Sequence, residues 1–238
     1  MLAVFVEKII NLVFPLTCIS CEREGAWICA DCRERIPYAT NLLCPNCFTF
    51  SPGGYFCTDC RKKSSLDGLW IISSYEYRAV KDLVHMLKYS GVTSVLDDIQ
   101  RIAQPALRHL AEASESVRRV FMPIPLHEKR LRDRGFNQSA LLAKMFAVCL
   151  NGRYVADGLL RTKETGSQAL LSKDERITNV QDAFTASSAL AISGKHVMLV
   201  DDVATTCATL QAAARVLRQH GARTVWGLAV ARGTLSQL

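Results

Sequence analysis

Apolar residues recur along this chain with two different periods, and the switches between them mark out the elements. Leu2, Phe5, Val6, Ile9, Leu12 and Val13 fall at helical spacing, which predicts an amphipathic helix ending before Pro15. GLWIISSYEY (68 to 77) predicts a strand, and Val80, Leu83, Val84 and Leu87 share one face of the helix after it. A longer helix is expected over 95 to 113. VFMPIPL (120 to 126) predicts a strand ending at a proline, followed by a basic loop and an apolar helix from about 137 to 150. Ser172 and Glu175 form a capping box for a short helix. A strand over 196 to 202, a helix from about 208 stopped by Gly221, and the strand TVWGLAV complete the pattern. Strands separated by helices argue for an α/β fold with a mainly parallel sheet covered on both faces.

Residues 1 to 63 break this pattern. Eight of the ten cysteines form four C-x-x-C pairs there: Cys18/Cys21, Cys29/Cys32, Cys44/Cys47 and Cys57/Cys60. A two-residue gap lets both thiolates of a tight turn face one tetrahedral ion, so four pairs supply ligands for two zinc ions. Sequential sharing needs connections of only seven and nine residues and is favoured over a crossed arrangement. Four thiolates leave no open coordination position, so the zinc is expected to be structural. A disulfide framework would need an oxidising compartment, and the start of the chain does not read as a secretory leader. Glu7 and Lys8 interrupt its apolar run, and no small-residue cleavage site follows. The expected organisation is an N-terminal helix and double zinc-ribbon module over 1 to 63, then an α/β domain over 64 to 238.

At 238 residues, 49% of them hydrophobic, the chain suits a medium domain plus a small one. No later segment reads as a transmembrane span. The expected location is therefore cytoplasmic, with a peripheral position at the inner membrane as the further option. The formal charge of +7 is uneven, because residues 121 to 238 hold 15 of the 29 Lys and Arg against 9 of the 22 Asp and Glu. A basic second half points towards a phosphate-bearing partner, either a small molecule or a nucleic acid.

The sharpest candidate chemistry lies in VMLVDDVATTCAT (197 to 209). Four apolar residues make a buried strand, and Asp201 and Asp202 stand at its carboxyl end, where ligands of parallel sheets usually sit. Ala204, Thr205, Thr206, Cys207, Ala208 and Thr209 form a hydroxyl-rich turn leading into a helix N-terminus, which can hold a phosphate. Adjacent carboxylates can accept hydrogen bonds from vicinal ribose hydroxyls. Acids for a sugar beside a loop for a phosphate suit a ribose 5-phosphate; an Asp-Asp turn with a threonine cap is the plainer alternative.

The order of these parts resembles the signature of the type I phosphoribosyltransferases, which bind phosphoribosyl pyrophosphate. PIPLHEKRLRDRGFNQ (123 to 138), RTKETGSQALLSKDERITNVQDAF (161 to 184) and the cysteine-rich front together resemble the ComF family of competence proteins. That resemblance implies a double zinc ribbon fused to a phosphoribosyltransferase-like domain, a role in DNA uptake during natural transformation, and association with single-stranded DNA. It also implies Mg²⁺ with phosphoribosyl pyrophosphate, places Lys88 and Tyr89 near the pyrophosphate, and includes Gln168, Arg176 and Asn179 in family-like segments. One departure stands out. The family loop usually reads Thr-Gly-x-Thr, whereas here Cys207 occupies the glycine position, and a side chain there restricts both positive φ and close phosphate approach.

HEKRLRDRGFNQ brings Lys129, Arg130, Arg132 and Arg134 within six residues, followed by Phe136. By the resemblance this is the mobile loop that closes over pyrophosphate. In a DNA-binding protein the same cations would contact backbone phosphates, with Phe136 stacking on a base. Three roles follow: a DNA-associated competence factor, an active phosphoribosyltransferase, or an adaptor whose zinc module recruits a competence helicase or transport protein.

Overall fold

A computed structural model describes residues 16–112, 118–163, 182–188 and 190–233. The expected N-terminal helix, the Ser172 capping box, and Gln168, Arg176 and Asn179 lie outside these residues.

The front of the chain is a structural repeat. In the first ribbon, Cys18 and Cys21 sit in a tight turn closed by Glu22 N–H donating to Cys18 O (2.7 Å), and Thr17 bridges Glu24 across it. Cys29 then precedes helix α1 (Ala30–Glu34). The second ribbon copies this plan: Phe48 N–H donates to Cys44 O (3.1 Å), Leu43 bridges Phe50, and Cys57 precedes α2 (Thr58–Arg61). Glu22 and Phe48, each just after a C-x-x-C pair, both sit at φ +62°. That conformation is costly for a side-chain-bearing residue, and it recurs because the turn must aim both sulfurs inward.

The rest is a doubly covered sheet. Strand β1 (Gly68–Ser74) is followed by α3 (Arg78–His85), a π-helical turn (Met86–Ser90) and α4 (Val95–Glu112). Next come β2 (Arg119–Pro123), α5 (Glu128–Arg134), α6 (Gln138–Cys149), β3 (Arg153–Tyr154) and the hairpin strands β4 (Leu159–Arg161) and β5 (Phe184–Ala186). β6 (His196–Ala204), α7 (Ala208–Gln219) and β7 (Thr224–Arg232) end the described chain. The five-stranded sheet runs β1-β7-β6-β2-β3, all pairs parallel, while β4 and β5 pair antiparallel beside it.

Period-two alternation divides the core. Met198 and Val200 of β6 face one apolar cluster, whose other members include Leu83, Ile99 and Phe146, and Val197 and Leu199 face a second with Leu210 and Leu217. Each ribbon covers a different face. Ile28 and Ile36 of the first ribbon join the first cluster, and Phe56 with Cys44 of the second ribbon joins the second. Asn41 ties the second ribbon to β1 by accepting from Ile71 N–H (2.9 Å) and donating to Ile71 O (3.0 Å). The zinc module is therefore packed against the sheet on both sides.

Two expectations need correction. The basic segment after β2 is the helix α5 and not a loop: His127 Nδ1 caps the Lys129 N–H (3.3 Å), and Gly135, at φ +80°, ends the helix in the left-handed conformation. The hairpin β4/β5 was not foreseen, since strands of three residues are too short to display a period.

Candidate functional site

The sulfurs of Cys18, Cys21, Cys29 and Cys32 lie within 4.8 Å of one another, as do those of Cys44, Cys47, Cys57 and Cys60. Two groups of four cysteines, each drawn from consecutive pairs, fit two structural zinc ions. Further atoms orient the sulfurs, as is usual around a metal. Cys29 N–H donates to Cys18 Sγ and Cys57 N–H to Cys44 Sγ, both at 3.4 Å, and Asn46 donates to Cys60 Sγ (3.3 Å). The Thr49 hydroxyl and backbone draw the Cys47 thiol down to about 6, the direction that favours a metal-binding thiolate.

The second site lies at the carboxyl ends of β6 and β2. β6 delivers Asp201 and Asp202 there, the chain turns at Thr205 to Cys207, and α7 begins at Ala208. Thr206 Oγ1 accepts from the Ala208 N–H (3.4 Å). Cys207 holds φ +61° and ψ 6° and is 5% exposed, so the backbone at this position takes the left-handed conformation that glycine adopts without strain. The plan of the turn is kept although its glycine is replaced.

The two acids differ sharply. Asp202 is 4% exposed and paired with Lys88 Nζ at 2.9 Å, while its Oδ2 is buried with no hydrogen-bond partner among the described residues. Burial alone would lower the Lys88 pKa, but the adjoining Asp202 charge raises it, so the pair is ionic. Lys88 reaches this position from the π-helical turn, a feature that often marks functional sites. Asp201 accepts from Ser139 Oγ and from Asp202 N–H, both at 3.0 Å. Burial, and then the Asp202 charge, push Asp201 up to about 7, against the pull of Lys88.

Opposite the turn, α5 presents Arg130 and Arg134, four residues apart and so on one face. Arg134 lies over the Tyr89 ring (5.2 Å) and donates to Gln138 Oε1. Lys129 and Arg132 are exposed and do not line the cavity; Arg132 pairs instead with Glu128 (3.6 Å). Phe136, expected as a stacking face, is half-buried against the first core cluster. One cavity of about 620 Å³ is lined by Lys88, Tyr89, Arg130, Arg134, Phe136, Asp201, Asp202 and residues 204 to 209. Segments from positions 88 to 209 thus meet at one place. The cavity also takes in Gln138, Ser139 and Arg161, which the sequence reading missed. Gln138 and Ser139 carried a usable signal: two polar residues opening an otherwise apolar helix, here 5% and 1% exposed.

Comparison with known proteins supplies the context. Residues 9–62 match the double zinc ribbon domain, and residues 154–233 match the phosphoribosyl transferase domain. The chain is 29% identical over 221 residues to DNA utilization protein YhgH of Escherichia coli, covering 90% of this chain and 96% of that one. It is 28% identical over 220 residues to Competence protein F of Haemophilus influenzae, covering 84% and 96%. Competence protein ComFC of Bacillus subtilis is 28% identical over 200 residues, covering 82% and 79%. Among solved structures, a hypoxanthine phosphoribosyl transferase of Trypanosoma cruzi aligns at 14% identity and a TM-score of 0.38, covering 56% of this chain and 64% of that one. No helix among the described residues is long and apolar enough to cross a membrane. With a double zinc ribbon joined to a phosphoribosyltransferase domain, and homology to Competence protein F, ComFC and YhgH over most of its length, the chain belongs to the ComF family.

Proposed function

We propose that the cavity binds phosphoribosyl pyrophosphate. The turn from Ala204 to Thr209 takes the 5-phosphate on its backbone N–H groups and hydroxyls, at the start of α7. Asp201 and Asp202 take the ribose hydroxyls, and Arg130 and Arg134 face the pyrophosphate. The observation that most supports this reading is Asp202 Oδ2, a buried acceptor with no partner among the described residues, beside a cavity of ligand size. A buried acceptor of this kind is costly unless a donor reaches it, and a sugar hydroxyl supplies one. The donor set also suits Mg²⁺, which takes oxygen ligands and would neutralise the diphosphate beside Asp201. Isothermal titration of the zinc-loaded chain with phosphoribosyl pyrophosphate and Mg²⁺ tests the reading. Saturable binding that is lost in Asp201→Ala supports it, and the absence of heat from the unmodified protein refutes it.

Binding is favoured over turnover. An active transferase would displace pyrophosphate from the anomeric carbon with a nitrogen nucleophile, but Cys207 narrows the phosphate turn and no group among the described residues of the cavity stands out as a general base.

The biological use we propose is the handling of single-stranded DNA during uptake, beside the inner membrane. Relatives named as competence and DNA utilization proteins support it, as does the basic second half of the chain. Lys129 and Arg132, exposed on α5, suit backbone phosphates. With Phe136 half-buried, the aromatic faces open to bases are Phe48 and Phe50 on the second ribbon, 60% and 73% exposed. Gel shifts whose log affinity falls with log salt would agree with this use, and no shift at any salt would exclude it.

A further inference from the structure

The strand β4 places a cation where its own alternation calls for an apolar side chain. Leu159 is buried, Leu160 is 48% exposed, and Arg161 turns back to the buried side. Its partner across the hairpin is Phe184, and the Arg161 guanidinium lies over that ring at 5.5 Å. The aromatic face carries the stem and fixes the direction of the head group, which lines the cavity beside Asp201 and Arg130. Arg161 therefore reaches the site on a rigid strand, from an element separate from the phosphate turn, from α5 and from the π-helical turn.

The charges around it are unevenly matched. Of the cations lining the cavity, Lys88 is engaged by Asp202, and Arg134 is engaged by Gln138 and the Tyr89 ring. Arg130 and Arg161 lie close enough to repel each other: burial first, then the Arg130 charge, lowers the Arg161 pKa, with Asp201 pulling the other way. Two guanidinium groups held together at a partly buried cavity wall are unfavourable unless an anion sits between them. Arginine suits this place because its planar fork grips two oxygens of one phosphoryl group. A 5-phosphate seated on the turn before α7 would not need it.

We infer that Arg161, with Arg130, forms a second anion subsite facing the phosphate turn, and that this subsite selects a ligand carrying a diphosphate over the corresponding monophosphate. The inference rests on the phosphoribosyl reading of the cavity and adds to it the residue that discriminates between ligands. Arg161 acts here as a binding and specificity residue.

The test compares two ligands on the full zinc-loaded chain, phosphoribosyl pyrophosphate with Mg²⁺ and ribose 5-phosphate, by isothermal titration. Arg161→Met keeps the apolar stem over Phe184 and removes the charge, and Arg161→Lys keeps the charge and removes the fork. Arg161→Met should weaken phosphoribosyl pyrophosphate roughly 10- to 100-fold, the usual range for losing a charge-assisted pair, and leave ribose 5-phosphate within about twofold. Arg161→Lys should fall between. Equal weakening of both ligands in both variants, or no change in either, would overturn the inference while leaving the phosphoribosyl reading intact. If the unmodified chain bound neither ligand, that reading would fail and the subsite with it. Should Arg161→Met not fold, judged by its melting curve, the Lys variant decides alone: a selective loss of the diphosphate ligand supports the subsite, and unchanged selectivity overturns it.

Discussion

The zinc module and the cavity are built in opposite ways. In the module, each ion site comes from two turns separated by a short connection, and the same plan appears twice, down to the left-handed residues Glu22 and Phe48. In the cavity, Lys88, Arg134, Arg161 and Asp201 come from four elements that only the completed sheet brings together. A site made by local spacing is specified by a few residues and a metal. A site made by long-range assembly depends on the whole fold and tolerates local change, as the retained turn around Cys207 illustrates.

This contrast can be broken most forcefully at the module. Replacing Cys47 with Ser should cost one of the two zinc ions and unfold the second ribbon, since structural zinc supplies about 10–16 kcal/mol of apparent binding free energy in small zinc domains. Because Phe56 and Cys44 are buried against the β6–α7 side of the sheet, the damage should spread, and the main melting transition should fall as well. Metal analysis and calorimetric melting would check both effects; full retention of two ions would contradict the ligand set.

A smaller loss is expected where the cavity holds its own charge. Lys88→Met leaves Asp202 buried without its cation and should destabilise the protein by about 3–5 kcal/mol, read from denaturant midpoints. The contrasting variant, Lys88→Arg, should recover only part of this, because a planar fork does not fit a site shaped for a compact ammonium.

The Asp201 carboxyl gives a pH signature. Its folded pKa, about 7, lies above the ordinary carboxylate value, so the folded state holds a proton that the unfolded state releases. Stability from this group is therefore whole at acid pH and declines as pH rises from about 4 to 7. Asp201→Asn should match the parent near pH 4 and melt higher at pH 8, by roughly 2–4 °C for each kcal/mol of relief. Equal melting at both values would show that the carboxyl is not desolvated.

The smallest effect sharpens the point about the turn. At φ +61°, residue 207 should prefer glycine to alanine, so Cys207→Gly should be more stable than Cys207→Ala by about 1 kcal/mol, the reverse of the order expected inside a helix. Phosphate or phosphoribosyl pyrophosphate should also bind the Gly variant more tightly than the parent.

Legibility in the sequence follows the same division. The four cysteine pairs announced their geometry because a two-residue gap leaves the sulfurs little freedom. β6, its two acids and the turn were legible because a run of apolar residues ending in charge has few other uses in a parallel sheet. α5 was read as a loop because seven residues rich in Arg and Lys carry no apolar period, and its cap is a histidine, outside the usual capping residues. Arg161 escaped because a three-residue strand shows alternation only once burial is known, and Ser139 because its partner, Asp201, lies 62 residues away. The division of labour between the acids was also hidden: Asp201 and Asp202 are neighbours in sequence, but one meets a hydroxyl and the other a buried ammonium.

A crystal structure of the zinc-loaded chain soaked with phosphoribosyl pyrophosphate and Mg²⁺ tests the central claim most directly. The 5-phosphate should lie on the turn between Ala204 and Thr209, the ribose against Asp201 and Asp202, and the diphosphate towards Arg130 and Arg161. An empty cavity at saturating ligand, or a ligand seated elsewhere with the Lys88–Asp202 pair undisturbed, would contradict it.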